Sequence, residues 1–407
     1  MSHVVVIGCG VVGAAIAYEL SRVPGLKISV LDKQQPATAA TGAALGVLMG
    51  VISHKIKGKA WQMREASIQR YETLIPELEA ITKHQIPFNR QGILMLCFAQ
   101  EDLARWESLV KVRTSNRWQL EIWDAAKVKS RCPQINCDRL KAAVYSPQDR
   151  QVDPVSLTLA LVEAAKRNGV TFHFGVTVEE YDLSTTTQHQ PRVRQIKTKA
   201  VGVEESSLIQ DVDWLVVSAG LGSSESLHPL AGKVEQGEKI IPESPSFHPS
   251  SRENSTQFEL GRMVDIRPVL GQAIHLKLKH PLGNPDFQPV ITGDDVHIVP
   301  CGGARATEYW VGATVEFPTD KGEIVAEAVR LDEVIQQAIA FCPALADSTI
   351  VRTWSGLRPR PEGRPAPVIG HLPGSNILLA TGHYRNGVLL APATAGAIRQ
   401  MILDFRF

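Results

Sequence analysis

The first residues with chemical promise lie within ten positions of the start. In "IGCGVVG", Gly8, Gly10 and Gly13 form GxGxxG between an apolar stretch and a run of helix formers, and Asp32 follows nineteen positions after Gly13. Glycines at this spacing permit a tight turn and close backbone approach to a pyrophosphate, the following helix presents its N-terminus to that anion, and the acid accepts ribose hydroxyls. The chemistry implied is dinucleotide binding, with NAD and FAD both open. A second stretch, "GHYRNGVLLAPATA" from Gly382 to Ala395, places Arg385 between a tyrosine and Asn-Gly ahead of an apolar helical run. A cation that looks buried there calls for an anionic partner.

Elements that could position these residues are readable from periodicity. "HVVVIG" reads as a strand, "AAIAYELSR" as a helix and "LKISVLD" as a second strand, which together make a βαβ unit. A helical pattern runs from Lys59 to Thr82, then a strand in "GILMLCF" and polar helices to about Ser130. Helix and strand return in "VSLTLALVEAAKRNG" and "VTFHFG", followed by a Thr-rich polar turn and the strand "WLVVSAG". Residues 222–262 lose periodicity and read as a polar insertion, a surface for a partner or a lid. Beyond it, "RPVLGQAIHLKL", "DVHIVPC" and "EYWVGATVEF" alternate as antiparallel strands, a helix is expected near Glu323 to Phe341, and the tail reads strand, glycine turn, helix.

Composition narrows the classes. The chain has 407 residues, enough for two domains and a substrate cavity. Forty-three Lys and Arg against 42 Asp and Glu give a net charge of +1, so nucleic acid is not expected as a partner. Six scattered cysteines lack zinc-site spacing and read as reduced thiols, and no metal is expected. The apolar start has no basic leader, and glycines and Glu19 interrupt it, so neither a signal peptide nor a membrane span is expected and the reading is cytoplasmic.

These pieces, with "ATGAALG", "VDP", "VVSAG", "RPVLGQ", "HIVP", "VGAT", "GLRP" and "GHYRNGVLLAPAT" in order along the chain, resemble the D-amino acid oxidase superfamily of FAD enzymes, most of all its glycine oxidase (ThiO) branch. The resemblance implies an α/β fold in which a Rossmann-like FAD-binding domain is interwoven with a mixed-sheet α+β substrate domain. The FAD domain would comprise 1–85, 151–222 and 356–407, and the substrate domain 86–150 and 223–355. It implies non-covalent FAD, since relatives that tether the flavin use a cysteine near the C-terminal segment and none here lies beyond Cys342.

Carried over by position, the resemblance gives Gly8, Gly10, Gly13 and Asp32 the ADP half of FAD. Thr41, Ala43 and Ala44 would line the pyrophosphate and ring, Val176 would meet adenine, and Ala219 and Gly220 would flank the cofactor. Backbone amides from Asn386 through Gly387 and Val388 to Leu389 would face the flavin pyrimidine. Arg358 of "GLRP" matches the arginine that grips a substrate carboxylate, and Arg385, twenty-seven positions later, matches a second cationic position. The bland alternative pairs each arginine with a carboxylate such as Glu362.

Two departures bear on the substrate. His297 stands where similar glycine oxidases carry a tyrosine, and Val315 stands where a methionine often covers the ring. The implied reaction is oxidation of a small amino acid (glycine, sarcosine or a small D-amino acid) to an imino acid, with dioxygen or another acceptor taking the electrons. A 2-hydroxy acid substrate with His297 as base, and a non-catalytic flavoprotein that assembles with a partner, stay open, as does homo-oligomerisation.

Overall fold

The computed structural model describes residues 1–185, 191–202, 206–209, 211–227, 264–301, 306–319 and 321–404. Two large sheets organise it. The first has six strands in the order Val368–His371, Ile377–Thr381, Trp214–Val217, Ser2–Ile7, Leu26–Asp32 and Thr171–Phe174. All neighbours run parallel except the outermost pair, Val368–His371 with Ile377–Thr381. The run "VVVI" is apolar throughout because both of its faces are covered. Val4 and Val6 point into a core built with helices Val11–Ser21, Gly58–Thr82, Pro154–Arg167 and Gly387–Asp404. Val5 and Ile7 point the other way, against Tyr181, Val193 and Ile196 of an antiparallel layer.

That layer is a correction to the expected polar turn. Strands Val176–Thr185 and Pro191–Ala200 pair as a long hairpin, joined by Ser206–Ile209. Val176 and Val178, then Tyr181 and Leu183 beyond a register shift after Val178, supply its apolar face.

The second sheet has eight strands in the order Thr349–Pro361, Ile266–Lys277, Glu308–Gly312, Val296–Cys301, Val290–Gly293, Ile93–Cys97, Ala142–Ser146 and Glu121–Trp123. It is antiparallel except where Val290–Gly293 runs parallel to Ile93–Cys97. One face packs on helix Ala328–Phe341 through Ile274, Ile298, Val334 and Phe341. The opposite face brings Ala273, Val299 and Ile93 against Leu45, Ile52 and the helix residues Trp106 and Leu109. The architecture is thus the α/β one expected, a mostly parallel sheet beside a mixed sheet.

We propose the two sheets as the nuclei of the two interwoven units. The chain passes from the first sheet to the second and back, and the expected break at 355/356 falls inside the continuous strand Thr349–Pro361 of the second sheet. The last crossing therefore lies between that strand and Val368. Of the polar insertion at 222–262, residues 222–227 are described and the remainder lies outside the described residues. Among the described residues no helix is long and apolar enough to cross a membrane, and no cluster of His, Cys, Asp and Glu could hold a metal ion.

The packing of the first βαβ turn gives a direct test. A Cβ on Gly13 would lie 1.9 Å from the carbonyl oxygen of Gly8, backbone against backbone. Gly13→Ala is expected to lower stability by at least about 2 kcal/mol in urea unfolding, and an unchanged midpoint would show that the helix can ride away from the strand.

Candidate active site

The C-terminal ends of the parallel strands converge on one cavity of about 1240 Å³. Open α/β sheets bind ligands at that edge, where the strand order departs from the central strand to either side. Gly8 follows the first strand with φ +99, and a Cβ there would meet Ser218 O at 2.6 Å and Ala219 Cα at 2.7 Å. Only glycine takes that conformation at that separation. Gly10 lines the cavity, and the helix that starts at Val11 has its first amide taken by Thr41 Oγ1 at 3.0 Å. Gly13 lies outside the lining and serves helix packing instead.

Asp32 closes the second strand at the cavity. Its Oδ2 accepts from the Cys9 amide at 2.5 Å and its Oδ1 from the Gln34 amide at 2.8 Å. Each oxygen keeps a lone pair for a further donor. Ala43, Ala44, Val176, Ala219 and Gly220 all line the same space. Also at the cavity, a short 3-10 turn, Tyr384–Asn386, runs into helix Gly387–Asp404. Asn386, Gly387 and Val388 line the cavity, so the positive end of the helix dipole faces it. Leu389 does not; it is buried in the helix-side core. Val315 is likewise outside the lining, where Ala313 stands.

The volume exceeds the range of a few hundred to about 1,000 Å³ typical of small-ligand sites. The residues fit FAD: a glycine cradle that any Cβ would fill, a carboxylate and a helix N-terminus line one cavity. None of the six free cysteines lines the cavity.

The sequence-predicted cations separate into two kinds. Arg358, on strand Thr349–Pro361, lies across Gly271, where a Cβ would come within 2.2 Å of its Nη2. Its Nη1 donates to Leu270 O and Thr314 O, both at 3.0 Å. Among the described residues no carboxylate pairs with it; Glu362 sits 3.9 Å from Arg360 instead. Burial, then the charge of Arg385, holds its pKa below the usual guanidinium range. Arg385 is not the buried cation that its apolar flank suggested. Its side chain is 38 % exposed and its Nη2 reaches Asp295 Oδ1 at 3.3 Å, so here a partnering carboxylate is present.

His297 lines the cavity, with Nδ1 hydrogen-bonded to Thr292 Oγ1 at 2.9 Å. Burial, then Arg385, brings its pKa down to about 4, so it is neutral at pH 7.

Several cavity residues carried no sequence signal. Arg64, on helix Gly58–Thr82, lines the cavity with its buried Nε unpartnered and its Nη2 3.5 Å from Asn386 Oδ1. His383 is buried there, its Nε2 3.0 Å from Thr394 Oγ1. The lining segment Met49–His54 is clamped from behind. Buried Asp149 accepts the amides of Gly50, Val51 and Ile52 at 2.7–2.8 Å. Fully buried Arg113 donates to Val51 O, Ser53 O and Lys55 O and stacks 3.6 Å over Trp61.

Fold and cavity define a flavin-dependent oxidoreductase. The family model for FAD dependent oxidoreductases (DAO) matches residues 3–247 and 250–401, and the chain belongs to that family with FAD as its cofactor. It is 30% identical over 407 residues to the bifunctional protein ThiO/ThiG of Synechocystis sp., covering 99% of this chain and 52% of that protein. The chain therefore spans about half the length of the curated relatives of that kind. It is 28% identical to a glycine oxidase of Bacillus licheniformis, covering 98% of this chain and 92% of that one. The crystal structure of glycine oxidase from Bacillus cereus superposes with a TM-score of 0.78 at 21% identity, covering 100% of this chain and 96% of that one.

His383 generates a pH prediction. Burial lowers its pKa from 6.5 to about 4. The unfolded chain takes up this proton first, so stability present above pH 6.5 is lost as pH falls toward 4, by about 2 kcal/mol at pH 5 for one such imidazole. Urea unfolding at pH 7 and pH 5 should show His383→Gln losing less stability than the wild type over that interval. Equal losses would contradict the assignment.

Proposed function

We propose that this protein oxidises a small amino acid, with glycine, sarcosine and small D-amino acids as candidates, whose carboxylate is held by Arg358. The observation that carries the reading is a half-buried guanidinium, lining the cofactor cavity, with two carbonyls on one nitrogen and no carboxylate partner among the described residues. Burying a charge without its counter-ion is costly, and a planar fork suits a carboxylate. FAD, when bound, supplies a two-electron acceptor for the substrate α C–H, and dioxygen or another acceptor takes those electrons on.

The chain's own contribution is positioning. Arg358 fixes the acid end, which aims the α-carbon, and orientation of this kind lowers the barrier without any proton transfer by the protein. No lining carboxylate is assigned as a general base, and hydride transfer from a neutral amine requires none. The likeness to a glycine oxidase supports the amino acid class. The likeness to ThiO/ThiG covers about half of that protein.

One observation favours a second reading. Neutral His297 in the cavity could accept the hydroxyl proton of a 2-hydroxy acid. Anaerobic mixing of the flavoprotein with panels of amino acids and 2-hydroxy acids decides between them, since bleaching near 450 nm is expected with amines alone; bleaching by hydroxy acids alone would reverse the assignment. Arg358→Lys is expected to raise the KM of the bleaching substrate roughly 10- to 100-fold, the loss of a bidentate charged contact. Unchanged kinetics would remove Arg358 from the site.

A further inference from the structure

The lip of the cavity carries a charge arrangement that the substrate reading leaves unused. Strands Val290–Gly293 and Val296–Cys301 pair with Gly293 opposite Val296, so Asp294 and Asp295 form the two-residue turn between them. Both have positive φ, 48 and 63. Tight hairpins ask for left-handed backbone at both central residues, which Asp tolerates. The turn therefore fixes two carboxylates at the cavity edge, and both line it.

Asp295 reaches Arg385 at 3.3 Å, with side chains 79 % and 38 % exposed. Asp295 and His297 are two apart on the chain as it enters a strand, which sets them toward one side, and both line the cavity. The lining groups differ in charge state. Arg358 is cationic and without a carboxylate partner among the described residues, His297 is uncharged, Arg385 is engaged by Asp295, and Asp294 adds a carboxylate beside them. Glu101 and Arg105, which also line the cavity, contribute one charge of each sign.

We propose that Asp295 is a specificity-determining residue: by engaging Arg385 at the lip, it restricts the substrate to a single anionic group, the carboxylate that Arg358 holds. The inference rests on the reading of Arg358 given above. At this turn a second carboxylate on the substrate meets an occupied cation and two anions, while Arg64 is turned to Ala60 O and Asn386 Oδ1 and Arg105 lines the cavity with Glu101; such repulsion discriminates even where the pair adds little to fold stability. An amine or an N-methyl group meets no such barrier.

The test uses the flavoprotein and follows its visible spectrum during titration with acetate, malonate and succinate. Wild type should bind acetate more tightly than either dicarboxylate. Asp295→Asn should improve dicarboxylate over acetate binding by roughly five- to tenfold, the scale of removing one close like-charge contact, with the thermal midpoint nearly unchanged. A dicarboxylate-to-acetate ratio that does not move in Asp295→Asn, while acetate still binds, overturns the role of Asp295 and leaves Arg358 in place. Wild type that fails to bind acetate, or an acetate Kd that Arg358→Lys leaves unchanged, overturns the substrate reading and this inference with it.

Discussion

One desolvated cation sets the terms for the rest of the structure. Arg358 can lie where it does only because Gly271 on the neighbouring strand has no side chain, and because Leu270 and Thr314 offer their carbonyls to one of its nitrogens. Behind it, buried Glu316 accepts from Thr314 Oγ1, from Gln272 Nε2 at 2.9 Å and from the Glu327 amide at 3.1 Å. Burial works to raise the Glu316 pKa, but those hydrogen bonds outweigh it and keep the carboxyl below its usual range. A negative charge thus supports the platform without touching the guanidinium. What the platform lacks is an anion in front, and supplying it is the role given to the substrate.

The two sheets divide the labour of meeting that need. The parallel sheet gathers glycine turns, Asp32 and a helix N-terminus at one edge, which suits an extended anionic cofactor. The mixed sheet contributes Arg358 from its edge strand and His297 from its interior. Segment Met49–His54 completes the wall, and it is held by a buried carboxylate on its amides and a buried guanidinium on its carbonyls. Irregular backbone beside a cavity needs such satisfaction, because its polar groups have neither ladder nor water.

The nucleotide cradle was legible because its logic is local: three glycines, a strand, a helix and an acid within 32 residues. Strand Thr349–Pro361 was not, since as an exposed sheet edge with two prolines at its end it shows little alternation. The hairpin 176–200 was masked by its polar outer residues. Arg358 came from resemblance alone and Arg385 from its apolar flank as well, and the sequence could not separate their roles. Asp295, which distinguishes the two, lies 90 positions from Arg385 and meets it only through the folded sheet. Asp149 and Arg113 gave no signal, because a charge buried by backbone contacts looks in sequence like any surface charge. His383 gave none either, since the positive φ of Gly382 beside it and its own burial are visible only in the fold.

Arg358 must face a substrate carboxylate within the FAD cavity, and a crystal structure of the flavoprotein grown with acetate tests that most directly. The prediction is a carboxylate in fork-to-fork contact with the Arg358 guanidinium, at about 2.8 Å, beside the flavin ring. Acetate seated elsewhere, or Arg358 turned away to a carboxylate of the protein itself, would contradict it.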